Sequence, residues 1–342
     1  MRWELSVQRQ LPGQMVLEVA YIGSHTVHEP INTQINYIPR KDLSTSLSRD
    51  ASQTNTINLL TTATGVVNPF KGLIPAVSSF NGSTIALQQL LVQYPEFPIA
   101  TYGSSPGSGI TEQNNPAGSG YYQSLNVRLQ KRYGHGLILI NNFIWDRLED
   151  RLAYLNPSDP APEKRLSSDS RPLRDVMLAT YQLPIGRGRK LDMHNRLADF
   201  LAGGWQVSGV LTLQSGPVLA WGNYIYYGGP LNYQANQPNG TAFNTAQFNT
   251  VSTQQLADNI QTFDLQFNNL RRNYTNEIDT SLDKNFKFAE RRYVQIRFEA
   301  FNIANHVTFG AVNTTPTNSA FGTIGSQANT PRRLETAIRL VW

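Results

Sequence analysis

Apolar and polar side chains alternate along nine stretches of the chain, the period of strands that each divide two environments between their faces. Trp3, Leu5 and Val7 share one face of the first stretch, and Met15, Leu17, Val19 and Tyr21 share one face of the second. The Leu11-Pro12-Gly13-Gln14 run between them is a hairpin signal, with proline fixing φ and glycine supplying a positive φ. Leu125, Val127 and Leu129 oppose Asn126, Arg128 and Gln130 in the third stretch, which turns at Tyr133-Gly134-His135-Gly136 into a fourth carrying Leu137, Leu139, Phe143 and Trp145. The fifth carries Met177, Ala179, Tyr181 and Leu183, and the sixth carries Trp205, Val207, Leu211 and Leu213. A short helix near Asn195 to Leu201 is expected between those two. Leu282, Phe286 and Phe288 mark the seventh, and Val294, Ile296, Phe298 and Ala300 mark the eighth after a tight turn at Ala289 to Arg292. The ninth ends the sequence, with Leu334, Thr336, Ile338, Leu340 and Trp342 opposite Arg333, Glu335 and Arg339.

Connection lengths add a second regularity. Strands one to two, three to four and seven to eight are joined by a few residues, whereas long polar stretches follow the second, fourth, sixth and eighth. Outer-membrane barrels combine short periplasmic turns with long external loops. If the ninth strand ends in the periplasm, every tight turn falls on that side. The loop from Ser24 to Gly118 exceeds what a compact domain leaves structureless, so it is expected to hold structure of its own, for example around Ile85 to Tyr94, or further strands.

Composition agrees with strands in lipid. Of the 342 residues 40% are hydrophobic, 10% aromatic and only 15% charged, against roughly a quarter charged in an ordinary soluble domain. A mean hydropathy of -0.36 is no objection, because only alternate strand residues meet lipid. No stretch approaches the roughly 18 apolar residues of a membrane helix. The absence of cysteine removes disulfides, thiolate metal sites and a cysteine nucleophile. The net charge of +5 lacks the clustered basic and aromatic patch of a nucleic-acid binder, and Arg187-Gly188-Arg189-Lys190 reads as solvated turn charge.

Candidate chemistry is sparse. His25-Thr26-Val27-His28-Glu29 reads as a solvated loop rather than a zinc site, and Asp146, Glu149, Asp150 and Asp159 lack the spacing of a calcium loop. Gly186-Arg187-Gly188 lacks the lysine and hydroxyl of a phosphate loop, and Ser215-Gly216 is no nucleophile elbow. Without an acid, base or nucleophile constellation the expectation is a protein that is not an enzyme and needs no cofactor or metal. Tyr224, Tyr226, Tyr227 and Tyr233 crowd one long loop, where they offer either a sugar- or peptide-contacting surface or an interfacial aromatic girdle.

Particular residue runs point further. Glu4 to Gly13 and Leu17 to Ser24 closely resemble the C-terminal barrel of Oar-like TonB-dependent transporters of the acidobacterial type. Asn68-Pro69-Phe70, Tyr94-Pro95-Glu96-Phe97, Gly203 to Gly209, Phe243-Asn244-Thr245, Phe301-Asn302 and Phe309-Gly310 carry the resemblance along essentially the whole chain. It implies a large plugged barrel of about 22 strands, energised through a periplasmic box that contacts TonB. The sequence shows no signal peptide, plug or TonB box, so TonB is expected to act only through a missing N-terminal region.

These readings converge on an all-β fold: an antiparallel transmembrane barrel, partial, with about nine or ten strands of a larger barrel. Residues 1–342 are expected to be the C-terminal portion of a TonB-dependent receptor in the cell outer membrane, forming wall and substrate-gathering external loops. The expected partners are outer-membrane lipid and lipopolysaccharide, the barrel-assembly machinery and an unidentified substrate, with no nucleic acid. Trp342, Leu340 and Ile338 form the expected barrel-terminal assembly signal. The alternatives are a self-contained outer-membrane barrel, or a soluble β-sandwich serving as a carbohydrate-binding or adhesin module.

Overall fold

The computed structural model describes residues 1–43, 65–75, 80–97, 109–134, 136–192, 194–237, 240–255, 260–264, 266–267, 269–288 and 292–342. Twelve strands occur among them. They are β1 (Arg2–Leu11), β2 (Met15–Gln34), β3 (Gly65–Val67), β4 (Thr84–Ala86), β5 (Thr111–Gly134), β6 (Leu137–Arg151), β7 (Arg165–Leu166), β8 (Leu173–Gln182), β9 (Trp205–Gln214), β10 (Thr275–Lys287), β11 (Tyr293–Phe301) and β12 (Arg333–Val341). Helices α1 (Leu87–Leu91) and α2 (Arg196–Ala202) are short.

One antiparallel sheet runs β1-β2-β5-β6-β8-β9-β10-β11-β12, with β7 paired to β6 as a tenth member. Its nine principal strands are the nine that alternation predicts. β1 and β12 are its edges and pair with no second neighbour among the described residues, so the sheet is not closed on itself. The β1–β2 turn behaves as its chemistry requires, with Gly13 at φ 80° and Gln14 at φ 59°. Of the other anticipated turns, His135 and Ala289 to Arg291 lie outside the described residues.

Register aligns the apolar positions into a single face. Leu5 stands beside Tyr21 and Tyr21 beside Leu125, which stands beside Trp145. At the other edge Leu282, Phe298 and Thr336 are in line, as are Val294 and Leu340. This face is bare: Leu5 is 71% exposed and Ile338 is 73% exposed. A sandwich would cover it with a second sheet. No second layer lies on it among the described residues. Trp3 lies across Gly23, filling the space that a Cβ would occupy. Asn141 and Asp175 also stand on this face, and Asn141 donates from Nδ2 to Asp175 Oδ1 at 2.5 Å, so the two polar groups satisfy each other.

The β2–β5 hairpin departs from expectation. It continues as a ladder to Gln34 and Thr111, through register shifts at Val27/Glu29, Glu29/Ile31 and Ile31/Thr33, so both ends of the loop anticipated from Ser24 to Gly118 are in fact strand. Pro30 and Pro116 both fall at the skipped positions, where no ladder hydrogen bond is asked of them. His28 and Asn114 take positive φ beside them, at 57° and 59°. About 9–11 tilted residues cross a membrane, so these strands of 20 and 24 residues project well past the loop end. The expectation of structure around Ile85 to Tyr94 is met by β4 and α1 rather than by further sheet strands.

The largest apolar core lies in the loops, not in the sheet. Leu219, Trp221, Phe243, Phe248, Phe263 and Phe321 are its centre, drawn from the β9–β10 and β11–β12 connections.

Candidate functional site: the aromatic cap

Long loops stay polar in sequence yet fold here around rings. Trp221 lies parallel to Phe248 at 5.5 Å and edge-on to Phe243 and Phe263, each at 5.3 Å. Phe321 meets Phe243 at 5.2 Å and Phe248 at 5.3 Å, both edge-on. Such pairs contribute about 0.5–1.5 kcal/mol each beyond their burial. The turns that aim these rings are fixed by asparagines. Asn244 Oδ1 accepts from Ala246 N–H at 3.2 Å, placing Phe243 and Phe248 on either side of a single 3-10 turn.

Hydrogen bonds join this core to every neighbouring loop. Asn156, in the β6–β8 connection, accepts from Gln261 N–H at 2.8 Å and donates to Gln261 O at 3.1 Å. Asp159 in the same connection pairs with Arg40 of the β2–β5 connection at 2.9 Å. Arg271 donates to the carbonyls of Ser170 and Gly216 at 2.8 and 3.3 Å. Ile38, Leu43 and Val92 bury against one another and take Ile260 alongside. The four long connections therefore form one cap.

Two of the sequence landmarks, Tyr94-Pro95 and Asn302, take part in hydrogen-bonded clamps. Asn36 is fully buried, accepting from Tyr94 N–H at 2.9 Å and donating to Tyr94 O, while Gln89 donates to Pro95 O at 2.7 Å. Asn302, at φ 48°, donates to the carbonyls of His306 and Thr330 at 3.1 Å each and accepts from His306 N–H at 2.9 Å.

A recess of about 670 Å³ opens beside the aromatic core, lined among others by Tyr226, Leu231, Tyr233, Phe263, Asp264 and Phe267. Of the four tyrosines singled out in sequence, it collects two. Tyr226 stacks obliquely on Phe263 at 4.8 Å and donates its hydroxyl to Gly229 O. Burial pushes the Tyr233 phenol up to about 12, against the opposing pull of Arg272. Tyr224 packs against the core from outside the recess, and Tyr227 is 51% exposed. Phe263, Asp264 and Phe267 were not singled out from sequence, because isolated aromatics in a polar stretch carry no period.

The acidic stretch does not converge. Glu149 pairs with Arg147 at 2.6 Å and with Lys164 at 3.1 Å, Asp150 with Arg165 at 3.0 Å, and Asp159 with Arg40. Glu163 is instead pushed up, by burial and then by the Asp264 carboxylate, against the pull of Arg165. His25 belongs to β2, not to a loop, and stacks on Tyr121 at 4.1 Å. Among the described residues no three histidines or carboxylates gather as metal ligands. At the opposite end of the sheet, Ile338 and Leu340 lie on the bare apolar face beside Ile296 and Val294, and Trp342 follows them, largely exposed.

Residues 1–335 match the outer membrane beta barrel domain family. The chain belongs to that family. Its members are outer-membrane proteins, so the bare apolar face is the lipid-facing wall of an antiparallel transmembrane barrel, the capped loops are external and the tight turns are periplasmic. Among solved structures, the outer membrane transporter YddB from Escherichia coli is similar, with a TM-score of 0.42 and 10% identity over 100% of this chain and 32% of that one. The chain thus spans about a third of that transporter's length, and the likeness is too slight to argue from. No curated protein matches the chain.

Proposed function

We propose that this outer membrane barrel domain is the wall and external mouth of a TonB-dependent receptor of the Oar-like type. On this reading it captures a solute on the cap and passes it inward without a chemical step. Its surroundings are outer-membrane lipid and lipopolysaccharide, it is inserted by the barrel-assembly machinery, and TonB engages another part of the receptor. The observation that carries this reading is the recess of about 670 Å³ held between rings on interlocked external loops. Its volume suits a ligand of a few rings or residues. Aromatic walls with Asp264, Asn232 and Asn269 at the rim suit a short oligosaccharide or peptide, which brings both apolar faces and hydrogen-bonding groups.

Two measurements on the full-length gene product test it. Calorimetric titration against oligosaccharide and peptide libraries should find a ligand whose binding is lost in Tyr233→Ala and Phe263→Ala but kept in Tyr227→Ala. Retention on an immobilised periplasmic domain of TonB tests the energy coupling separately. A folded receptor that TonB does not retain sinks the transporter reading while leaving the ligand site standing.

A further inference from the structure

The β8–β9 connection is the longest of the periplasmic turns, and it carries two features that a turn does not need. The first is α2, whose Leu197, Phe200 and Leu201 stand one turn apart on one side and remain exposed, Leu197 by 72%. The second is the cationic run Arg187, Arg189 and Lys190, all exposed. Asn195 caps the helix by accepting from Leu197 N–H at 2.8 Å and Ala198 N–H at 3.3 Å. Asp199 Oδ1 then accepts from Arg187 N–H at 2.7 Å, which ties the cationic run to the helix. Gly186, at φ 124°, and Gly203 approach so closely that a Cβ on Gly203 would stand 3.0 Å from the Gly186 Cα. The described part of the connection is therefore folded, with the backbone of its cationic run tied to α2.

Its position on the wall decides the matter. Phe200 packs on Phe286 at 5.1 Å, and Trp205 Nε1 donates to Leu201 O at 2.9 Å. Trp205 and Phe286 belong to the lipid-facing side, so α2 lies against the outside of the barrel, at its periplasmic rim. On that same side stands Lys284, in register with Trp205 and Ile296. It is only 4% exposed, and its ammonium donates to Phe200 O with the rings of Phe286, Trp205 and Phe200 around it. Between these elements is a recess of about 270 Å³, lined by Arg187, Arg189, Lys284 and Lys287 together with Asp199 and Phe286. Three cations on the lipid-facing side, Arg187, Arg189 and Lys284, face one carboxylate there, and among the described residues Arg187 has no ion-pair partner.

We propose that this rim is a binding site for an anionic phospholipid of the periplasmic leaflet. Leu197, Phe200 and Leu201 lie among its acyl chains, continuing the lipid-facing wall, and its phosphate sits between Arg187 and Arg189 with Lys284 at the floor. An interfacial helix with cations beside its apolar side has the makings of such a contact. The proposal rests on the periplasmic placement of the turns, which is checked independently.

The probe is dioleoyl phosphatidylglycerol, with dioleoyl phosphatidylcholine as the zwitterionic comparison, offered to the detergent-solubilised full-length gene product and read by native mass spectrometry. Phosphatidylglycerol should be retained in preference. A cation near an anionic lipid surface contributes about fivefold, so Arg187→Gln with Arg189→Gln should erase roughly twenty-five-fold of that preference. Lys71→Gln on the external side should leave it intact. Heat-modifiable migration shows whether each variant is folded, and Leu197→Ser, which keeps every charge, should weaken retention of both lipids. Equal retention of the two lipids by the native protein, or an unchanged preference in the folded double variant, overturns the site. Trypsin added to intact cells tests the topology instead: cleavage in the 187–190 run only after permeabilisation supports it, and cleavage from outside overturns it.

Discussion

Phe298 offers the sharpest test of which face meets lipid. It lies between Leu282 and Thr336 on the apolar side of β11, with the Trp205 ring 6.4 Å away. A strand residue advances about 3.3 Å, or about 2.5 Å along the membrane normal at a tilt near 40°. Counted from Tyr293, where β11 begins, Phe298 stands about 12 Å into an apolar band about 25 Å tall, close to its midplane. Arginine there should cost about 2–4 kcal/mol. That is roughly a thirty- to several-hundred-fold shift in the folding equilibrium. Ile296, about 7 Å deep and level with the shielded Lys284, should cost less when replaced by arginine, since a long cation at that depth reaches the rim. Gln295 pairs with Asn285 and Arg339 on the lumen side, and lysine there should be tolerated within about 0.5 kcal/mol. Urea-titrated folding of the full-length gene product into phospholipid vesicles, read by heat-modifiable migration, gives all three values. Equal costs at Phe298 and Gln295 would refute the assignment of faces.

The remaining predictions concern the termini of the wall and the cap. Trp342 follows β12 and is 86% exposed, so deleting it should leave folding stability unchanged yet lower the surface yield in cells, a split that assembly kinetics can measure. Because Tyr233 holds its proton up to about 12, above its unfolded value near 10, the stabilisation is full below pH 10 and is lost as pH rises through 12. Protease resistance of the cap should fall over that interval in the native protein and much less in Tyr233→Phe. Asn302→Ala removes three hydrogen bonds at a left-handed position and should destabilise the β11–β12 loop by about 2–4 kcal/mol, seen as faster proteolysis there with the ladder amides of β10 and β11 still protected.

The wall was legible because a strand in lipid repeats every two residues and most of the sheet keeps that period. Residues such as Val294, Ile296 and Phe298 announce their face with no knowledge of their neighbours. The long β2–β5 hairpin was not legible, since beyond the membrane both faces are wet and nothing selects an alternation. Pro30 and Pro116 there mark bulges rather than ends. Lys284 escaped notice for a different reason, because its burial depends on Phe200 and Trp205, far away in sequence. The cap was half legible. A crowd of tyrosines signalled something to contact, but which of them share a recess depends on Phe263 and Phe267, brought in by the Asn156–Gln261 pairing across loops.

The two sheet edges constrain what completes the wall. Nine strands follow one another in antiparallel order from β1 to β12, so these two run in the same direction and cannot pair as antiparallel neighbours. In hydrocarbon an unpaired edge costs several kcal/mol for each exposed backbone group. A second copy turned about the barrel axis offers no solution, because its β1 would run parallel to the first copy's β12. A copy that met β12 with its own β12 would be inverted, its external cap in the periplasm. Single-chain bacterial barrels hold an even number of antiparallel strands. Nine strands in this order therefore cannot close such a barrel by pairing β12 with β1, and the polar side of β1, with Arg2, Glu4, Gln8 and Gln10, faces away from the lipid.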